Sequence, residues 1–133
     1  PFNVMVSPQP PARLAAIVDW DTGTIGDPLL DIGHLLARWT EPGEEPVITL
    51  QAGGADGYPT RSQMATRYAE RTGRDLSALP YYQALALFKL AVILEGSHAR
   101  QVKAGIDPDR TDMGPRVIRL LAGAAEFARG QRK

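Results

Sequence analysis

Two short apolar runs stand near the start of the chain, residues 2–6 and 14–18. Both are rich in β-branched or apolar residues, and neither is long enough for a helix. Between them Ser7-Pro8-Gln9-Pro10-Pro11-Ala12-Arg13 holds three prolines, which have no N–H to give a ladder, so the spacing predicts a β-hairpin. A loop with two glycines follows over residues 21–28. Asp27 can then cap a helix with Pro28 at its first position, running over 29–39 with Leu30, Ile32, Leu35, Leu36 and Trp39 as its apolar surface.

Residues 40–59 are rich in glycine, proline and glutamate and predict a long loop, with one turn at 47–50. Thr60 or Ser62 can cap a helix to about Thr72, which Gly73 ends. After a connector at 75–79, Pro80 opens the longest helix, through about Lys103 with Gly105 beyond it. Tyr81, Leu85, Phe88 and Val92 form one stripe, while Leu87, Leu90, Ile93 and Leu94 cover much of the rest, which is the pattern of a central helix. A last helix is predicted over 115–129, with Val117, Ile118, Leu121 and Phe127 facing inward. The fold class is therefore mainly α (α+β), one β-hairpin followed by about four helices, in a single domain over residues 1–133.

Charge and composition narrow the partners. Fifteen basic and fifteen acidic residues cancel, so nothing favours nucleic acid or an anionic membrane. Cysteine is absent, which removes disulfides, thiolate zinc sites and cysteine nucleophiles, and a cytoplasmic location is the expectation. No apolar run approaches the roughly 20 residues of a spanning helix, since the stretch 84–94 is broken by Lys89, and no signal peptide is apparent.

The candidate chemistry lies on the hairpin. Asn3 opens the first strand and Asp19 closes the second, which sets an amide oxygen beside a carboxylate at one end. Two hard oxygens so placed suit Mg²⁺ held against nucleotide phosphates, although a turn asparagine and a strand-end aspartate without a ligand are also common. Trp20 stands beside this point as a packing residue or a stacking platform. His34, one turn from Leu30, reads as a hydrogen-bonded boundary histidine. The glycine-rich stretch 53–57 has neither a strand before it nor a Gly-Lys-Ser/Thr ending, and reads as loop rather than phosphate cradle. Glu95 and His98 share the three-residue spacing of di-iron helices, but that site needs the pattern twice.

The string Asn3-Val4-Met5-Val6, then Ile17-Val18-Asp19-Trp20-Asp21, then Ile25-Gly26-Asp27-Pro28-Leu29-Leu30-Asp31-Ile32-Gly33 resembles the C-terminal lobe of the aminoglycoside phosphotransferase and choline-kinase-like family, which has the protein-kinase fold. The stretch from Tyr81-Tyr82-Gln83 to Leu94-Glu95-Gly96 looks like one branch, bacterial phosphotransferases similar to the kinase domain fused to acyl-CoA dehydrogenases. The resemblance implies transfer of the ATP γ-phosphoryl group to a hydroxyl, with Asn3 and Asp19 as Mg²⁺ and nucleotide ligands. It gives Asp27 and Asp31 structural roles, Asp31 accepting backbone N–H bonds from the catalytic loop. Trp20, Asp21, Glu95 and His98 become candidates for the substrate pocket, with Asp21 standing where most members have glutamate.

The family's general-base aspartate would fall five residues before Asn3, ahead of Pro1, and its nucleotide-binding N-lobe has no counterpart here. The expectation is thus a kinase fragment, inactive as it stands. Its partners would be ATP, Mg²⁺ and a small-molecule alcohol, with a hydroxylated acyl chain favoured over an antibiotic. Self-association would follow through the surface left by the missing lobe. The competing expectation is a non-catalytic kinase-like module that binds nucleotide or protein.

Overall fold

A computed structural model describes residues 3–21, 23–44, 46, 52–53, 57–108 and 111–132. Strands β1 (Val4–Val6) and β2 (Leu14–Ile17) are followed by α1 (Leu29–Ala37), β3 (Trp39–Thr40) and β4 (Ala52–Gly53). Helices α2 (Arg61–Thr72), α3 (Leu79–Lys103) and α4 (Met113–Ala128) complete the chain. β1 and β2 pair antiparallel with Val4 opposite Ile17, and the register is irregular between Met5 and Val6. The expected turn at 47–50 and most of the glycine-rich stretch 53–57 lie outside the described residues.

α3 is the central element, packed against α1 on one side and α4 on the other. Its buried face is made of Leu79, Gln83, Ala86, Leu87 and Ala91. Three of these are small or polar, which lets the neighbouring helices approach closely. Leu87, Leu120 and Phe127 are fully enclosed where α3 meets α4, each such side chain contributing about 1.5–3 kcal/mol of burial. A second cluster joins Leu29, Ile32 and Leu36 of α1 to Leu79, with Met64, Tyr68 and Tyr82 packed on it. α2 starts in a capping box, Gln63 N–H donating to Thr60 Oγ1 and Thr60 N–H to Gln63 Oε1, and stops where Gly73 turns left-handed.

The structure corrects several sequence expectations. Ile118 and Leu121 face solvent at 70% and 43% exposure, because the inward stripe of α4 is Val117, Leu120, Ala124 and Phe127, about 100° away around the helix. Tyr81, Phe88, Val92 and Ile93 of α3, and Leu35 of α1, are likewise exposed. Trp39 lies outside α1: its backbone pairs in parallel with Ala52 and its indole N–H donates to Pro59 O at 2.8 Å. The segment 40–59 therefore contains a short parallel pairing within the expected loop.

A buried arginine ties this segment down. Arg61 is 4% exposed, and its guanidinium makes a two-point contact with Glu44, 2.9 Å at the Nη1–Oε2 arm, while Nη1 also donates to Trp39 O at 3.0 Å. Arg132 reaches the same Glu44 at 3.0 Å and lies over the Phe127 ring. The loop after β3, the start of α2 and the end of the chain thus meet at one carboxylate. Desolvation pushes Glu44 up, but hydrogen bonds from Arg61, the Glu41 amide and Arg132 outweigh it and lower its pKa to about 2. Among the described residues, no helix is long and apolar enough to cross a membrane.

Candidate functional site

Cross-strand pairing builds the site. Val18 N–H donates to Asn3 O at 2.9 Å, one step beyond the Val4–Ile17 pair, and this brings Asn3 to the end of β2. Asp19 then leaves the strand direction at φ 65°, in the left-handed region that aspartate tolerates better than branched residues. The result is a direct contact between side chains sixteen residues apart, Asn3 Nδ2 donating to Asp19 Oδ2 at 2.9 Å.

That bond fixes the amide's orientation, because a carboxylate only accepts and must face the NH₂ group. Asn3 Oδ1 and Asp19 Oδ1 make no hydrogen bond among the described residues, and both side chains are exposed. These two hard oxygens are the atoms that would hold a divalent cation such as Mg²⁺. No three His, Asp or Glu side chains converge on a cation among the described residues. A Mg²⁺ ion at Asn3 and Asp19 would take the rest of its shell from water or phosphate, as that ion commonly does.

The neighbouring candidates divide into two groups. Trp20 is 67% exposed and held by its indole N–H on Ile17 O at 2.8 Å. Gly23 N–H donates to Trp20 O at 2.8 Å, and a Cβ at Gly23 would lie 3.0 Å from that oxygen. Asp21 is exposed in the same turn. Glu95 and His98 sit far along α3, about 20–24 Å beyond Tyr82 at ~1.5 Å per residue. His98 packs beside Gly114 at the start of α4, its Nδ1 enclosed without a hydrogen-bond partner.

Asp27 Oδ1 accepts the Leu29 N–H at 2.9 Å, a capping bond at the start of α1, and Asp27 Oδ2 accepts the Tyr82 hydroxyl at 2.6 Å. The Tyr82 bond and then the Leu29 bond hold the Asp27 carboxyl below its usual range, and the same contact pushes the Tyr82 phenol up. Asp31 is exposed on α1, and the catalytic loop whose N–H groups the resemblance pairs with it would lie ahead of Asn3, outside the described residues. His34 accepts from Arg38 Nη1 at 2.8 Å. Burial and then the charges of Arg38 and Lys89 lower its pKa, consistent with a neutral ring. Tyr82 escaped sequence reasoning because nothing in its spacing separates a hydroxyl aimed at Asp27 from an aromatic packing residue.

Comparison with known proteins bears on this site. Residues 1–66, which include the hairpin, the loop and α1, match the model of the phosphotransferase enzyme family. Acyl-CoA dehydrogenase family member 11 of Rattus norvegicus is 27% identical over 124 residues, covering 90% of this chain and 16% of that protein. The Homo sapiens protein of the same name is also 27% identical over 124 residues. Acyl-CoA dehydrogenase family member 10 of Mus musculus is 26% identical over 107 residues, covering 75% of this chain and 10% of that protein. The chain therefore spans only a small part of the length of these relatives. No solved structure matches it. The chain resembles the C-terminal lobe of the phosphotransferase enzyme family, and the half that carries Asn3, Asp19 and Asp27 is the half that matches the family model.

Proposed function

We propose that this chain carries the cation- and nucleotide-holding part of a kinase that moves the γ-phosphoryl group of ATP to the hydroxyl of a small-molecule alcohol. The observation that supports it is the 2.9 Å contact between Asn3 and Asp19 across the hairpin, within the segment that matches the phosphotransferase family. Asp19 supplies the negative charge that attracts Mg²⁺, and Asn3 supplies a neutral oxygen while bracing the carboxylate. When bound, the cation neutralises charge on the phosphate oxygens during transfer. Trp20, next to Asp19 in the chain and exposed, offers a flat apolar face to a substrate ring or chain. The general base is assigned to an aspartate five residues ahead of Asn3, outside these residues.

The branch named by the resemblance favours a hydroxylated acyl chain or another small alcohol as acceptor. In the full-length protein, Asp19→Ala is expected to weaken MgATP binding at least tenfold and to abolish ADP release, while binding of Mg²⁺-free nucleotide changes little. Unchanged MgATP affinity in that variant would remove the basis of the assignment. A screen of small alcohols, read by ADP release from the full-length protein, identifies the acceptor.

A further inference from the structure

The hairpin and its following loop are built from contacts within themselves. Among the described residues, the hydrogen bonds of residues 3–26 all stay inside that segment: Asn3 with Asp19 and Val18, Ser7 with Arg13, Trp20 with Ile17 and Gly23. Their side chains are mostly exposed, Ile25 completely so. The first bonds to reach the helices are at Asp27. Its carboxylate receives Leu29 N–H, and also the hydroxyl of Tyr82, fifty-five residues on.

Tyr82 is itself firmly placed. Its backbone lies against Gly33 of α1, so close that a Cβ at Gly33 would stand 2.7 Å from Tyr82 Cβ. Its ring packs on the Leu29–Ile32–Leu36 cluster and meets Tyr81 edge-on at 5.2 Å. One oxygen of Asp27 thus starts α1, and the other is held by the central helix.

Given the kinase reading, on which this rests, we propose that Tyr82 is a positioning residue. Through Asp27 it fixes where the Asn3–Asp19 ribbon stands relative to the helical lobe, and so aligns the phosphoryl donor with an acceptor bound on that lobe. The Asn3–Asp19 contact forms within the ribbon and does not need Tyr82. Loss of the phenol should therefore leave MgATP affinity in place and lower the rate of transfer, since a small misplacement of reacting groups is enough to slow such a step greatly.

The test uses the full-length protein and the alcohol found by the ADP-release screen. Tyr82→Phe is expected to lower kcat at least tenfold, with the MgATP Kd within twofold of wild type. Asp27→Asn retains a good capping side chain but takes the charge from the Tyr82 bond, and should give a similar kcat loss. The double variant should be no slower than the slower single one, because both remove the same contact. The Asp27→Asn arm also decides the matter if Tyr82→Phe folds poorly. An unchanged kcat in either folded variant, or additive losses in the double, would overturn the positioning role. If no alcohol supports turnover, or Asp19→Ala leaves MgATP affinity unchanged, the kinase reading fails instead.

Discussion

Gly33 of α1 meets Tyr82 of α3 at a distance that leaves no room for a side chain: an added Cβ would lie 2.7 Å from Tyr82 Cβ and 3.0 Å from the Tyr82 carbonyl carbon. Backbone and Cβ atoms cannot swing aside as a flexible side-chain tip would. Gly33→Ala must therefore push the two helices apart. The expected outcome is a loss of about 1–3 kcal/mol of stability, the usual range for overpacking, read by denaturant unfolding. The gain in helix propensity from glycine to alanine, at most about 1 kcal/mol, does not offset it. A variant as stable as the wild type would show that the helices are not so closely packed.

The two faces of α4 should respond differently to truncation. Phe127 is 1% exposed between α3 and α4, and Phe127→Ala is expected to cost about 3–5 kcal/mol. Ile118, 70% exposed, should change stability by no more than about 0.5 kcal/mol when replaced by alanine. Thermal unfolding of the two variants side by side checks the orientation of the helix, and similar losses would contradict it.

Much of this fold can be read from the sequence, and what cannot has a common cause. Thr60 and Gly73 mark the ends of α2 because caps are local chemistry. The hairpin follows from two β-branched runs around prolines. The buried face of α3 is a different matter: apolar residues surround most of that helix, so periodicity offers several faces. The winning one, with Gln83, Ala86 and Ala91, is decided by how closely α1 and α4 can approach. The β3–β4 pairing and the burial of Arg61 depend on residues far apart in the chain, to which a local pattern is blind. For the site, the sequence brings Asn3 and Asp19 to one end of a ribbon, but it is silent on Tyr82. The hydroxyl that meets Asp27 comes from fifty-five residues away.

Glu44 predicts an acid-sensitive contribution to stability. Its folded-state pKa of about 2 lies below the ordinary value of 4.5, so its ion pairs with Arg61 and Arg132 stabilise the fold fully above about pH 4.5. That contribution is lost as pH falls from there toward 2. Glu44→Gln should flatten this part of the stability–pH curve. It should also cost about 1.5–3 kcal/mol at neutral pH, the range for hydrogen bonds to charged groups, by weakening the partners of a buried guanidinium. Denaturant midpoints measured across pH 2–7 decide it, and parallel curves for the two proteins would rule the contribution out.

Under the proposed kinase function, the pairing of β1 with β2 makes strand register a functional quantity. Sliding one strand past the other by a single residue would turn its side chains to the opposite face, and the amide of Asn3 would no longer meet Asp19. The irregular step between Met5 and Val6 interrupts the even repeat along which such sliding would occur. A change in the length of the proline turn would therefore, under that proposal, count as a change to the chemistry.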